Sequence, residues 1–204
     1  MNEIRIPVIT HEEATGDLKE AYEYARNSLY LRAMGKVNGT EGALNYRAVF
    51  SLRPEYVRWI SDTADVLFGP GRISPTIKDM IAVVVSSANR CNHCTAGHAH
   101  LLHMRGVEDA TLKSLMTNLH GLDLESKTVE LLRFAQKMTH AAHEITDDDV
   151  GNLRTAGWSD EQILEAVMVA AFFSMNNRVM ETLGVKPLNG ADWYQQLTAG
   201  ESLG

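Results

Sequence analysis

Two cysteines and a histidine stand close enough in the sequence to carry redox chemistry. Cys91 and Cys94 form a Cys-x-x-Cys pair, and His98 follows Cys94 by four residues. On a helix that begins near residue 92, Cys94 lies in the first turn, where unpaired backbone N–H groups and the helix dipole stabilise a thiolate. The pKa of the Cys94 thiol is therefore expected to fall. Residues four apart share a helix face, so His98 can exchange a proton with that thiol directly or through a water.

Two further residues belong to this candidate site. His93 lies between the cysteines and supplies a second imidazole, although its helical direction points away from Cys94. Asp79 stands in a preceding segment that is almost wholly apolar after it, and it is the local candidate for orienting His98. A solvated acid near a helix start is also favoured by the helix dipole, so spacing alone leaves both roles open for Asp79.

The cysteine pair has three interpretations. A dithiol that cycles through a disulfide is favoured by the short spacing, the helix start and His98. The second is structural zinc held by Cys91, Cys94, His98 and His103, but the sequence offers no second cysteine pair on a distant element. The third is two small buried hydrophobic residues, which the polar residues between the cysteines disfavour. We expect the dithiol, with no metal ligands and no cofactor.

The motif spans the junction of two predicted helices. Ser74 has the form of an N-cap before a proline and starts a segment that runs to about Arg90. The β-branched run at 81–85 would also suit a buried strand, but the segment is too long for a strand and has helical start signals. A second helix is predicted from near Asn92 to Met104. This helix pair, 74–105, positions the candidate site.

The rest of the chain also predicts helices, and strand alternation is weak throughout. A capping box at Thr10 to Glu13 opens a pattern that continues to Leu29, with a stop at Gly35. Similar signals place further helices at about 44–52, 54–68, 108–119, 124–143, 146–157 and 159–183. The predicted fold class is all-α, a compact multi-helix bundle that forms one domain over 1–204. The tail, 187–204, is expected to dock on a neighbour.

Composition limits the classes of partner. The 204 residues are 45% hydrophobic and 22% charged, as in globular proteins, and the net charge of −7 disfavours nucleic acid and anionic membrane surfaces. The longest apolar run, 163–175, is interrupted by Glu165 and is too short to span a membrane. No apolar signal core follows Met1, so a cytoplasmic location is expected. No glycine-rich phosphate loop is present, and we expect no bound nucleotide.

A known family shares the features of this motif. The stretch from Ile73 to Gly106, with an acid in an apolar helix, then Cys-x-x-Cys-x-x-x-His and a glycine stop, resembles the alkylhydroperoxidase D-like members of the carboxymuconolactone decarboxylase family. The run from Phe172 to Arg178 is similar to their peroxidase-related subgroup. The resemblance implies an all-helical homo-oligomer, commonly a trimer or hexamer. It also implies a thiol peroxidase that reduces a small hydroperoxide and is itself reduced by an external dithiol.

The resemblance also implies a role for each candidate residue. By position, Cys94 attacks the peroxide, and Cys91 resolves the resulting sulfenic acid into a disulfide. His98 takes the thiol proton, and His93 is an accessory in the relay. Asp79 stands twelve residues before Cys91, where the family usually has glutamate. The decarboxylase members lack the cysteine pair, so lactone decarboxylation is the less favoured activity.

Overall fold

The computed structural model describes residues 4–32, 46–187 and 191–199, and every regular element within these ranges is a helix. The all-α prediction is therefore confirmed. Contacts divide the chain into two compact units, one of 1–71 with 183–185 and one of 72–182 with 186–204. Because two compact units are compatible with one domain, the prediction of a single domain over 1–204 stays a prediction.

The first unit contains helix α1 (Gly16–Arg26), a short 3-10 turn (Ala48–Phe50) and helix α2 (Pro54–Phe68). Its core is a cluster of buried apolar side chains from α1, α2 and the residues around them. Pro54 stands in the first turn of α2, as the sequence predicts. The predicted stop at Gly35 and the first two residues of the predicted 44–52 helix lie outside the described residues.

The start and end of α1 differ from the sequence prediction. The Glu13 carboxylate accepts from the Thr10 N–H at 3.0 Å and from its hydroxyl at 2.9 Å, but this contact forms a turn, and the helix begins only at Gly16. The helix ends at Arg26. A separate helical segment begins at residue 29, where the Asp65 carboxylate of α2 accepts the backbone N–H groups of residues 29 and 30. One continuous helix from Thr10 through residue 29 was therefore wrong.

The second unit is built around helix α3 (Pro75–Ala88), which packs against α4 (Asn92–Met104), α5 (Asp109–Thr117) and α6 (Ser126–Ala141). It also contains α7 (Asp147–Thr155), α9 (Ala191–Thr198) and most of α8 (Asp160–Leu183). The segment that could have been a strand is the buried middle of α3. Its start is the predicted cap, since the Ser74 hydroxyl accepts from the Ile77 N–H at 3.3 Å.

Length and composition alone would allow α8 to cross a membrane. A core helix of a water-soluble protein passes the same test, so the criterion is weak. Within the second unit, Glu165 of α8 pairs with the buried Lys78 at 2.5 Å and accepts the backbone N–H groups of Arg72 and Ile73. The expectation of no membrane partner stays a prediction.

The described part of the C-terminal tail folds as α9 and packs on α4 and α5 of its own chain. The Trp193 ring lies 5.6 Å from the His100 ring and 4.7 Å from the His103 ring, between centroids. The Tyr194 hydroxyl donates to the Asn92 side-chain oxygen at 3.4 Å. Aromatic and polar contacts thus hold these residues on the helix that carries the cysteines, and docking of the tail on a neighbour stays a prediction.

Candidate active site

The turn between α3 and α4 fixes the backbone of Cys91. Arg90 has a left-handed φ of 57°, which is unusual for a residue other than glycine. The Cys91 N–H donates to the Ser86 carbonyl at 2.8 Å, and the Arg90 N–H donates to the Ser87 carbonyl at 2.9 Å. These two bonds form a Schellman motif that ends α3. Cys91 is also the N-cap residue of α4, so Cys94 lies in the first helical turn, as predicted.

Both cysteines are free thiols that hydrogen-bond to each other inside the protein. The hydrogen bond from Cys94 lowers the pKa of the Cys91 thiol, although burial opposes this effect. The same bond and burial raise the pKa of the Cys94 thiol, while the Asn177 and Asn176 amides lower it. The lowered pKa was expected at Cys94, and the structure places it at Cys91. The sequence argument considered one thiol alone, whereas in the structure the two thiols share a hydrogen bond that favours the ionised form of Cys91 over that of Cys94.

Asp79 and His98 form the pair that the sequence left open. The His98 Nδ1 and the Asp79 Oδ1 are 2.7 Å apart, and the Asp79 side chain is 2% exposed. A solvated role for Asp79 is therefore wrong. Because a carboxylate only accepts, neutral His98 carries its proton on Nδ1 and presents Nε2 as the basic nitrogen. Phe173 packs edge-on against the imidazole at 4.7 Å and restricts its orientation.

Arg105 is a member of this site that sequence reasoning missed. Its guanidinium donates to the second carboxylate oxygen of Asp79, so one carboxylate joins Arg105 and His98. Arg105 follows His98 by seven residues, which places both on one face two turns apart. That spacing could have indicated the residue.

His93 is held at the edge of the site by the C-terminal segment. Its Nδ1–H donates to the Lys186 carbonyl at 2.8 Å. Burial lowers the pKa of His93, and the neighbouring His98 lowers it further. The structure therefore brings the two imidazoles into electrostatic contact and favours a neutral His93 at pH 7.

The structure does not bring the four candidate zinc ligands together. Across the residues that the structure describes, no three His, Cys, Asp or Glu side chains group as a metal site requires. His98 faces Asp79 instead, and the His103 Nδ1 lies 3.1 Å from Asp109. The four proposed ligands therefore take part in other contacts.

A model of the carboxymuconolactone decarboxylase family matches residues 54–137, a segment that includes Asp79, both cysteines and His98. Over this segment the chain resembles the carboxymuconolactone decarboxylase family. The predicted resemblance is thus confirmed. No protein of curated function matches the chain.

Solved structures share the fold of this protein over most of the chain. An alkylhydroperoxidase AhpD core, an uncharacterized peroxidase-related protein from Ralstonia eutropha, has a TM-score of 0.78 and 24% identity over 96% of this chain and 97% of its own. An uncharacterized peroxidase-related protein from a Silicibacter species has a TM-score of 0.73 and 25% identity over 97% and 94%. The debrominase Bmp8 has a TM-score of 0.70 and 16% identity over 88% and 93%.

Proposed function

We propose that this protein is a thiol-dependent peroxidase that reduces hydroperoxides through a dithiol and disulfide cycle of Cys91 and Cys94. The observation that carries the proposal is a pair of free, hydrogen-bonded thiols at the start of α4. Asp79 of α3 and His98 of α4 form a buried pair next to this helix start in the sequence. The match of residues 54–137 to the carboxymuconolactone decarboxylase family model and a fold shared with peroxidase-related proteins support the proposal.

We assign the attack on the peroxide to Cys94 because this residue is 4% exposed to solvent, whereas Cys91 is 0% exposed. The proton of the Cys94 thiol first moves to Cys91 or to Nε2 of His98. The Cys94 thiolate then forms a bond to the terminal oxygen of the hydroperoxide as the O–O bond breaks. The alkoxide receives the displaced proton through the His98 relay, with His93 as an accessory, and leaves as an alcohol.

The second step forms the disulfide, and a separate reductant is needed to restore the two thiols. The Cys91 thiolate attacks the sulfur of the Cys94 sulfenic acid, the S–S bond forms, and hydroxide leaves and is protonated to water. An external dithiol then donates the two electrons that reopen the disulfide. The same proposal includes a homo-oligomer, trimer or hexamer, that works in the cytoplasm without a bound cofactor.

The test is a thiol count on the reduced protein before and after one equivalent of hydroperoxide. We expect two thiols to be lost for each alcohol formed. The Cys94→Ser variant should consume no peroxide, whereas Cys91→Ser should complete one turnover and stop at a sulfenic acid that a dimedone probe traps. Equal single-turnover rates in the two variants would contradict the assigned roles. No thiol loss, together with stoichiometric zinc in untagged protein, would instead support the metal-holding interpretation.

The same experiment should include a brominated pyrrole as a second oxidant. A debrominase shares the fold, and a cysteine-to-alanine variant of it has been solved with 2,3,4-tribromopyrrole. A dithiol can supply the two electrons that replace a carbon–bromine bond with carbon–hydrogen. Bromide release without peroxide consumption would move the proposal from peroxide reduction to reductive dehalogenation.

A further inference from the structure

Two adjacent amides are buried in the second unit, in an otherwise apolar part of α8. Asn176 is 3% exposed and Asn177 is 1% exposed. The Asn177 Nδ2 donates to the Ser86 hydroxyl at 3.0 Å, and its Oδ1 accepts from the Asn89 side chain at 3.0 Å. Both ends of the Asn177 amide are therefore bonded to the end of α3, directly before the cysteine motif. This anchoring fixes the position of the neighbouring Asn176.

Asn176 contacts one of the two sulfurs. Its Nδ2 donates to the Sγ of Cys94 at 3.6 Å, a distance suited to an N–H···S hydrogen bond. An amide donor stabilises a sulfur atom most when that sulfur bears negative charge. Burying polar amides costs free energy unless their hydrogen bonds are made, so hydrophobic packing does not account for Asn176.

Charge on Cys94 needs such a donor. The Cys94 residue is 4% exposed, and its neighbour Cys91 competes for the same negative charge. Water therefore supplies little stabilisation, and a second thiolate nearby would repel the first. The amides of Asn177 and Asn176 both oppose these effects by lowering the pKa of the Cys94 thiol, and that of Asn176 donates to its sulfur without adding a charge of its own.

We propose that Asn176 is a catalytic residue of the thiol chemistry, whose amide donates to the sulfur of Cys94 and stabilises it as a thiolate and then as a sulfenate. The role toward the sulfenate rests on the proposed function, whereas the stabilisation of the thiolate can be measured without any peroxide.

The test uses variants with a single thiol, so that each sulfur titrates alone. In the Cys91→Ser background, Asn176, Asn176→Ala and Asn176→Asp are compared by the ultraviolet absorbance of the thiolate and by iodoacetamide alkylation across pH. Removing the donor in Asn176→Ala should lower the thiolate fraction of Cys94 about tenfold at a given pH. Asn176→Asp keeps the size of the side chain and adds a like charge, so it should lower the fraction further.

The matched control places Asn176→Ala in the Cys94→Ser background. Ionisation of Cys91 should change far less there, because the amide of Asn176 donates to the sulfur of Cys94. Equal ionisation of Cys94 in all three proteins, or an equal shift at both sulfurs, would overturn the proposal. Circular dichroism shows that each variant is folded, and the isosteric aspartate keeps the test valid if alanine does not fold. If the thiolate order holds but the wild-type protein consumes no hydroperoxide, the proposed function fails while the donor role stands.

Discussion

The Asp79→Asn substitution tests the His98 relay with almost no change in side-chain size. In the wild-type protein the carboxylate accepts from Nδ1 of His98 at 2.7 Å, and Nε2 is the basic nitrogen. An asparagine can turn its NH₂ group toward Nδ1, which favours the tautomer with the proton on Nε2. In that tautomer His98 offers Nε2 only as a donor and cannot accept the thiol proton there. The substitution therefore removes the base while the imidazole stays in place.

The size of the effect follows from burial. A positioned general base contributes about 10²–10⁴ to a rate, or about 3–5 kcal/mol of barrier. The Asp79 and His98 side chains are 2% and 12% exposed, so water replaces the lost carboxylate poorly, and we expect a loss of about 10³. Arg105 is 38% exposed and can turn toward solvent when the charge of Asp79 is removed. Stability should therefore fall by less than the roughly 3–5 kcal/mol typical of breaking a fully buried ion pair.

The assay is a rapid-mixing single turnover with stoichiometric hydroperoxide, followed as loss of thiols. At neutral pH the variant should lose its thiols slowly. The ratio of the wild-type rate to the variant rate should decrease well above about pH 9, where thiols ionise unaided. Asp109→Asn is the matched control, because Asp109 pairs with His103 at 3.1 Å on the surface, with side chains 54% and 40% exposed. That control should keep the wild-type rate. Equal slowing of Asp79→Asn at both pH values, or no slowing, would refute the relay.

Three further predictions concern stability, each measured by urea or thermal unfolding. Glu165→Ala removes a carboxylate from Lys78, whose side chain is 0% exposed, so unfolding free energy should fall by about 3 kcal/mol, and adding Lys78→Met should restore most of it. Burial raises the pKa of Glu165, but hydrogen bonds from Lys78 and two backbone N–H groups lower it overall. The contribution of the Glu165 carboxylate to the unfolding free energy is therefore complete above its usual pKa of 4.5, and it is lost as pH falls through the lower pKa of the folded state. The Glu165→Gln variant should lack this pH dependence. Arg90→Gly relieves a φ of 57° and should raise stability by about 0.5–1 kcal/mol, and a lower melting temperature would contradict this.

Local signals explain which helices could be predicted. The Ser74 cap and Pro75 mark the start of α3, and the capping box of Thr146 with Asp149 marks the start of α7. These signals depend on residues within one turn of each other, so the sequence contains them in full. The predicted first helix extended too far because the new segment at residues 29 and 30 depends on the Asp65 carboxylate, which comes from another helix.

The same distinction applies to the site. Cys91, Cys94 and His98 share one helix start, and Asp79 lies on the adjacent helix, so spacing could bring them together. Asn176 reaches Cys94 from a helix 82 residues away, and no periodicity indicates a contact at that separation. The ionisation order of the thiols was also beyond the sequence, since it depends on which sulfur donates to the other.

The order of ionisation suits a reaction that needs charge on two sulfurs in succession. In the proposed cycle Cys94 is the nucleophile of the first step and Cys91 that of the second, and their shared hydrogen bond lowers the pKa of the Cys91 thiol and raises that of the Cys94 thiol. One proton on the shared hydrogen bond can serve both, because moving it to Cys91 charges Cys94, and moving it on through His98 to the alkoxide charges Cys91 again. The amide of Asn176 stabilises charge on Cys94, while the Asp79 and His98 pair governs where the proton goes. Loss of either group should therefore slow the first step, and loss of Asn176 should also lower the ionisation of Cys94 when Cys91 is replaced by serine.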